Sequence, residues 1–268
     1  MSLLSVHALT KCPTPVFNTP EIRLCFGGES GDALPLDEHG LMRSVETVLF
    51  PNTPVQCIKE HSSLIWEIKT SAYDYPNLFI DKRFVAPEIP NLLSGRKAAL
   101  PSADQILKTL RGLKGSRYMW GGNWPSGISL LSELYPSKTD FNQLHPLTKD
   151  TWQLKGFDCS GLLHYATDGW TPRNTSALIR FGKGVEIEGK ETNSIVEQLK
   201  PLDLIVWKGH VVCVLDPKTT IESKLPEGVV ELESSERLSQ IVAERKPVNE
   251  WDDSPELKFV IRRWYTPN

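Results

Sequence analysis

The run Gly156-Phe157-Asp158-Cys159-Ser160-Gly161 sets a cysteine directly after an aspartate, with apolar Leu162, Leu163 and Tyr165 just beyond. Aspartate is a preferred residue for the entry to a helix. The pattern therefore predicts a helix that starts at Asp158, runs to about Asp168 and carries Cys159 in its first turn. The positive end of the helix dipole and the N–H groups there favour thiolate over thiol. The same N–H groups can donate to an oxyanion formed beside the sulfur. This is a setting for a nucleophilic cysteine.

A sulfur nucleophile needs a base, and the base needs an orienting group. His210 follows Gly209 and opens the apolar run Val211 to Leu215, so it stands at the mouth of a strand. Glu222 lies in the next strand pattern, Thr219 to Ser223, across the turn Asp216-Pro217-Lys218. A hairpin there can bring Glu222 beside His210, where a carboxylate stabilises imidazolium. Taken singly these residues have blander readings. A cysteine at a helix start is more often packing than chemistry, a lone histidine is more often structural, and a lone glutamate is a solvated charge. The order of cysteine helix, histidine strand and carboxylate strand is what favours catalysis. Cys57 and Cys213 sit in alternating apolar strands and read as core; His164 reads as structural.

These strands and helices imply two domains within 268 residues. Residues 1–86 read as short strands and turns, among them Val45 to Val48, Pro54 to Ile58 and the alternating Ile65 to Lys69, and suggest a small barrel. Residues 87–101, with Pro87, Pro90 and Pro101, read as a linker. Ser102 is a good N-cap for an amphipathic helix from about Ala103 to Leu113. Asn123 to Lys155 reads as a large loop with one short helix near Leu130 to Leu134, of a length that is usually functional. Strands are predicted at Leu204 to Trp207, Val211 to Leu215, Thr219 to Ser223 and Phe259 to Trp264.

Composition removes several classes. With 40% hydrophobic and 24% charged residues the balance is globular, and a net charge of −3 argues against nucleic acid as a partner. Five cysteines with no C-x-x-C pair fit reduced thiols better than a disulfide framework or a zinc site. The start of the chain shows neither a signal peptide nor a membrane-inserting stretch. A cytoplasmic protein is expected, or an exported one if an export signal has been trimmed away.

Four stretches resemble the NlpC-type cell-wall cysteine peptidases, papain-like enzymes of bacteria. Tyr118-Met119-Trp120-Gly121-Gly122 looks like the family's Y-x-W-G-G, and Phe157 to Leu162 like its D-C-S-G-hydrophobic motif. Thr171 to Ser176 is similar to its P-R-(D/T)-S segment. Leu199 to Leu204 with Gly209-His210-Val211 resembles its L-x-P-G-D-L and H-V block. The likeness spans about residues 103–224. More weakly, Ile65 to Ile68 and Leu78 to Val85 resemble the bacterial SH3-like domains that often precede this catalytic domain.

The resemblance implies an α+β protein: an SH3-like β-barrel over 1–86, then a papain-like domain over 102–268 with the Cys159 helix on an antiparallel sheet. It implies hydrolysis of peptidoglycan stem peptides between γ-D-glutamate and a diamino acid, on soluble muropeptides with a free N-terminal L-alanine. Cys159 is then nucleophile, His210 base and Glu222 orienting group. Tyr118 lines the cleft, Asp158 and Ser160 meet the substrate from the helix start, and Arg173 either holds a substrate carboxylate or makes a structural ion pair. No metal or organic cofactor is expected. Three features depart from the family. Leu202 replaces the glycine of P-G-D, so the turn should differ; Glu222 stands where histidine or an amide is common; and 123–155 is a long insertion. An amidase or acyltransferase on the same fold, or a non-catalytic wall-binding protein, remains open.

Overall fold

The computed structural model describes residues 6–28, 30–87 and 95–265. It is a mixed α/β structure with antiparallel sheets, divided into two compact units. One comprises residues 1–98 and 119–156, the other 99–118 and 157–268. Part of the expected linker, residues 88–94, lies outside the described residues, as do residues 1–5 of the stretch read for an export signal.

The first unit is built on β1 (Val6–Thr10), β2 (Thr14–Phe17), β3 (Val45–Leu49), β4 (Pro54–Glu60), β5 (Ile65–Lys69), β6 (Leu78–Asp81) and β7 (Val85–Pro87). All pairings are antiparallel, in the order β3-β2-β6-β5-β4-β1-β7. Alternation along the strands sends side chains to two faces. On β6, Leu78 and Ile80 join a cluster with Ala8, Val55 and Trp66. Phe79, between them, joins a different cluster with Phe17, Val45 and Val48.

That second cluster corrects the sequence reading. Its other members are Met119, Ile128, Leu131, Tyr135, Trp152 and Leu154. The stretch 123–155 is no open loop: it holds helices Ser129–Leu134 and Pro146–Trp152 and a 3-10 turn at Phe141–Gln143. Trp152 is fully buried and donates from Nε1 to the Tyr135 carbonyl at 2.9 Å. Asn123 is buried and closes both of its bonds on Val48, at 2.9 Å each. The apolar face of the sheet needs a cover, and these residues supply it. Residues 119–156 therefore group with the N-terminal strands, and the catalytic domain expected as a continuous 102–268 is interrupted in the chain.

The second unit contains α1 (Ala103–Gly112), α2 (Cys159–Ala166), β8 (Lys183–Gly184), β9 (Leu204–Trp207), β10 (His210–Asp216), β11 (Thr219–Lys224), β12 (Gly228–Glu233), α3 (Ser234–Glu244) and β13 (Lys258–Arg263). Ser102 caps α1 in a capping box with Gln105. The sheet runs β8-β13-β9-β10-β11-β12, all antiparallel, with Lys246–Pro247 paired parallel to β13. Continuous apolar runs such as Leu204-Ile205-Val206-Trp207 suit a sheet covered on both faces. Val211, Cys213 and Leu215 share a core with Ile106 and Leu110 of α1 and Leu162 and Leu163 of α2. Val212 and Val214 share another with Leu238 and Ile241 of α3.

Leu202 stands in the turn before β9. It takes φ of 70°, the left-handed conformation that glycine adopts most readily, and donates its N–H to the Val214 carbonyl at 2.8 Å. Its side chain is buried at 2% exposure. Burial of the leucine offsets a backbone conformation costing about 1–2 kcal/mol.

Candidate functional site

The helix start forms as its sequence dictates. Asp158 is the N-cap of α2, and its Oδ1 accepts from the Gly161 N–H at 2.6 Å. Cys159 is the first helical residue and is 6% exposed. Its thiol points at the Gly209 carbonyl, 3.8 Å away. Gly209 has φ of 102°, which suits glycine, and its N–H donates to Thr175 Oγ1 at 3.1 Å. That bond ties the turn before β10 to the short helix Thr175–Leu178.

β10 begins at His210, and the hairpin to β11 brings Glu222 to its ring. His210 Nε2 and Glu222 Oε2 are 2.5 Å apart, with the glutamate side chain fully buried. The Cys159 side chain lies close enough to the same imidazole to favour its charged form. The Trp207 ring lies 5.0 Å from the His210 ring, centroid to centroid.

Electrostatics follow from these contacts. Burial works to lower the His210 pKa, but Cys159 and Glu222 outweigh it and raise the value to about 9. Burial also works to raise Glu222, and the bonds from His210 and Arg237 overcome it, holding the carboxyl below its ordinary range. Cys213 is different: burial pushes its thiol up and out of reach of ionisation, as its reading as core implies. A charged imidazolium beside the Cys159 sulfur is therefore the favoured state of this site near neutrality.

The residues expected to meet substrate from the helix start are joined to one another. Arg173 is buried, and its Nη1 and Nη2 meet Asp158 Oδ1 and Oδ2 at 2.9 and 2.7 Å. Nη1 also donates to Ser160 Oγ at 3.0 Å, and Ser160 donates to Asp158 Oδ1 at 3.2 Å. Of the two readings of Arg173, the structural ion pair is the one the geometry shows. A buried capping carboxylate needs a counterion, and a planar guanidinium fits it bidentately. Asp158, Ser160 and Arg173 brace the helix start by bonding to one another. Tyr118 is half-buried and bridges Phe157 in parallel, alongside the chain that enters α2. His164 is structural: its Nδ1 lies 2.8 Å from the Thr171 carbonyl.

One member of the network was missed by the sequence reading. Arg237 on α3 reaches Glu222, with Nη2 donating to Oε2 at 2.9 Å and Nε lying 2.5 Å from Oε1. The residues 234–244 carry a helical signal, with Leu238, Ile241 and Val242 at spacings of three and four. Finding that helix would have placed Arg237 on it, but nothing local in sequence links it to Glu222. Among the described residues no group of His, Cys, Asp or Glu side chains is arranged to hold a metal ion, and no helix is long and apolar enough to cross a membrane.

No family model matches the sequence, and no curated protein matches it. Several solved structures do, and the structural neighbours are NlpC/P60 family proteins. NlpC2 from Trichomonas vaginalis is 12% identical, over 98% of this chain and 74% of that one, with a TM-score of 0.37. The peptidoglycan hydrolase RipB from Mycobacterium tuberculosis is 20% identical, over 64% of this chain and 72% of that one, with a TM-score of 0.36. RipD from the same organism is a non-catalytic NlpC/p60 domain protein adapted to peptidoglycan binding. It is 17% identical, over 60% of this chain and 95% of that one, with a TM-score of 0.35.

Proposed function

We propose that the chain is a cysteine peptidase acting on peptidoglycan stem peptides, at the amide between γ-D-glutamate and the diamino acid that follows. The observation that carries the reading is the linked set of Cys159 at a helix start, His210 against it and Glu222 on the ring Nε2. The four sequence motifs support the substrate class. The papain-like and SH3-like assignments of the two units belong to the same reading.

The reaction is acyl transfer. The Cys159 thiolate attacks the amide carbonyl, and the amides that open α2 donate to the oxyanion. Imidazolium at His210 protonates the leaving amine as the C–N bond breaks, leaving a thioester on sulfur. Neutral imidazole then takes a proton from water, which hydrolyses the thioester and restores the free thiol. Glu222 holds the ring and stabilises its charged form.

Incubation with a panel of stem peptides, with products mapped by mass spectrometry, tests the specificity. Cleavage at the γ-D-glutamyl–diamino acid bond is expected, and cleavage at another bond overturns the assignment in favour of an amidase or acyltransferase. Loss of cleavage when the N-terminal amine is blocked supports action on free muropeptides; retention supports polymer-linked stems. The rival is a wall-binding protein without activity. The complete Cys159–His210–Glu222 set favours the enzyme, and preferential alkylation of Cys159 by iodoacetamide near neutral pH is the result that separates them.

A further inference from the structure

Glu222 has two cationic neighbours, and only one of them belongs to the reaction. Its Oε2 accepts from both His210 Nε2, at 2.5 Å, and Arg237 Nη2, at 2.9 Å. Its Oε1 faces Arg237 Nε at 2.5 Å in an ion pair that lies off hydrogen-bond angles. The glutamate side chain is fully buried and that of Arg237 is 14% exposed. We infer that Arg237 is a positioning residue of the thiol site, whose guanidinium keeps the Glu222 carboxylate ionised and aimed at His210 through both protonation states of the imidazole. The inference rests on the peptidase reading and adds to it how the orienting carboxylate is kept fit for two opposite proton transfers.

The reaction changes the charge beside Glu222. When His210 gives its proton to the leaving amine, the imidazole becomes neutral. Without another cation, Glu222 would then be a buried carboxylate with no counterion, an arrangement that strongly penalises the charged form. The histidine–glutamate pair would then hold its proton more tightly, and His210 would be a poorer acid toward the leaving amine. A guanidinium does not titrate in the working range, so Arg237 supplies the counterion at every stage. Its two-point contact also fixes the carboxylate plane, leaving Oε2 directed at the ring. Arg237 further opposes a second imidazolium charge nearby. It therefore keeps His210 a stronger acid than Glu222 alone would make it.

The charged and titratable groups around His210 are Cys159 from α2, Glu222 from β11, Arg237 from α3 and Cys213 on β10 itself. Arg245, at the end of α3, lies 4.9 Å from the Trp207 ring centroid, and that ring stacks toward His210. Among the described residues Arg237 is the cation, besides His210 itself, that bonds to the carboxylate holding the histidine.

The test is an NMR titration of the His210 ring in wild type, Arg237→Gln and Arg237→Lys, without substrate, followed by turnover of a stem peptide against pH. In Arg237→Gln the ring midpoint is expected to rise by about one unit. The alkaline limb of kcat/KM should move with it, and kcat should fall roughly ten-fold at little change in KM. Arg237→Lys keeps the charge and loses the fork, so its midpoint should stay at the wild-type value while kcat still falls. A folded Arg237→Gln with an unmoved midpoint overturns the inference. If Arg237→Gln does not fold, wild-type kcat in Arg237→Lys overturns it. Because the ring titration needs no substrate, it decides Arg237 even if stem peptides are not cleaved. Absent cleavage with a shifted midpoint counts against the peptidase reading alone.

Discussion

His210 gains its charge from the two side chains that touch it. Its pKa of about 9 lies above the ordinary value near 6.5, so the folded state binds the proton more tightly. The stability this contributes is complete below the ordinary value and is lost as pH rises through about 9. Glu222 is shifted downward, so its contribution is present above the ordinary value and is lost as pH falls through the lowered one. The account predicts that kcat/KM declines on the alkaline side near pH 9, as imidazolium is lost. In Glu222→Gln that limb should move down by roughly one to two units, and kcat should fall by about 10–100-fold. A pH–rate profile of both proteins checks this. Cys159, His210 and Glu222 were legible in the sequence because a helix start, a strand mouth and a hairpin are all local features. The fate of Arg173 was not, because whether a guanidinium faces a substrate or a capping aspartate depends on how the Pro172 segment folds back on α2.

The element that matters most is α2, and its first turn is braced by a buried ion pair. Asp158→Ala removes the cap, at about 0.5–2 kcal/mol. It also leaves Arg173 buried without its partner, at about 3–5 kcal/mol. Urea unfolding should show the larger of these losses, and the double variant Asp158→Leu with Arg173→Met should recover much of it. The turn before β9 makes a smaller prediction. Leu202→Gly relieves about 1–2 kcal/mol of left-handed strain but forfeits about 1.5–3 kcal/mol of burial. The net should be a destabilisation of roughly 1 kcal/mol in the same unfolding measurement. At this scale the sequence served well where caps, period-two alternation and continuous apolar runs speak directly, as at Ser102, Asp158, Ile65 to Lys69 and Leu204 to Trp207. It missed β1, β2, β7, β8, β12 and α3. Of these α3 had a periodic signal, whereas short strands such as Thr14–Phe17 are specified chiefly by their neighbours in the sheet.

For the whole molecule, chain order and spatial grouping diverge. Residues 123–155 fall between two of the sequence motifs, yet their apolar side chains complete a core with β2, β3 and β6. Trp152→Ala is expected to cost about 3–5 kcal/mol of stability, read from denaturant unfolding, because a fully buried indole is removed. A change below 1 kcal/mol would mean that the segment does not pack as described. The sequence hid this because Trp152 and Leu154 are scattered apolar residues among polar side chains, and the cluster that takes them in includes strand residues far away in the chain. The measurement that bears most directly on the central claim is turnover of a γ-D-glutamyl stem peptide by wild type and Cys159→Ala, matched for fold by circular dichroism. The account predicts that cleavage is abolished in the variant while the fold is kept. Cleavage near the wild-type rate by a folded Cys159→Ala would contradict it.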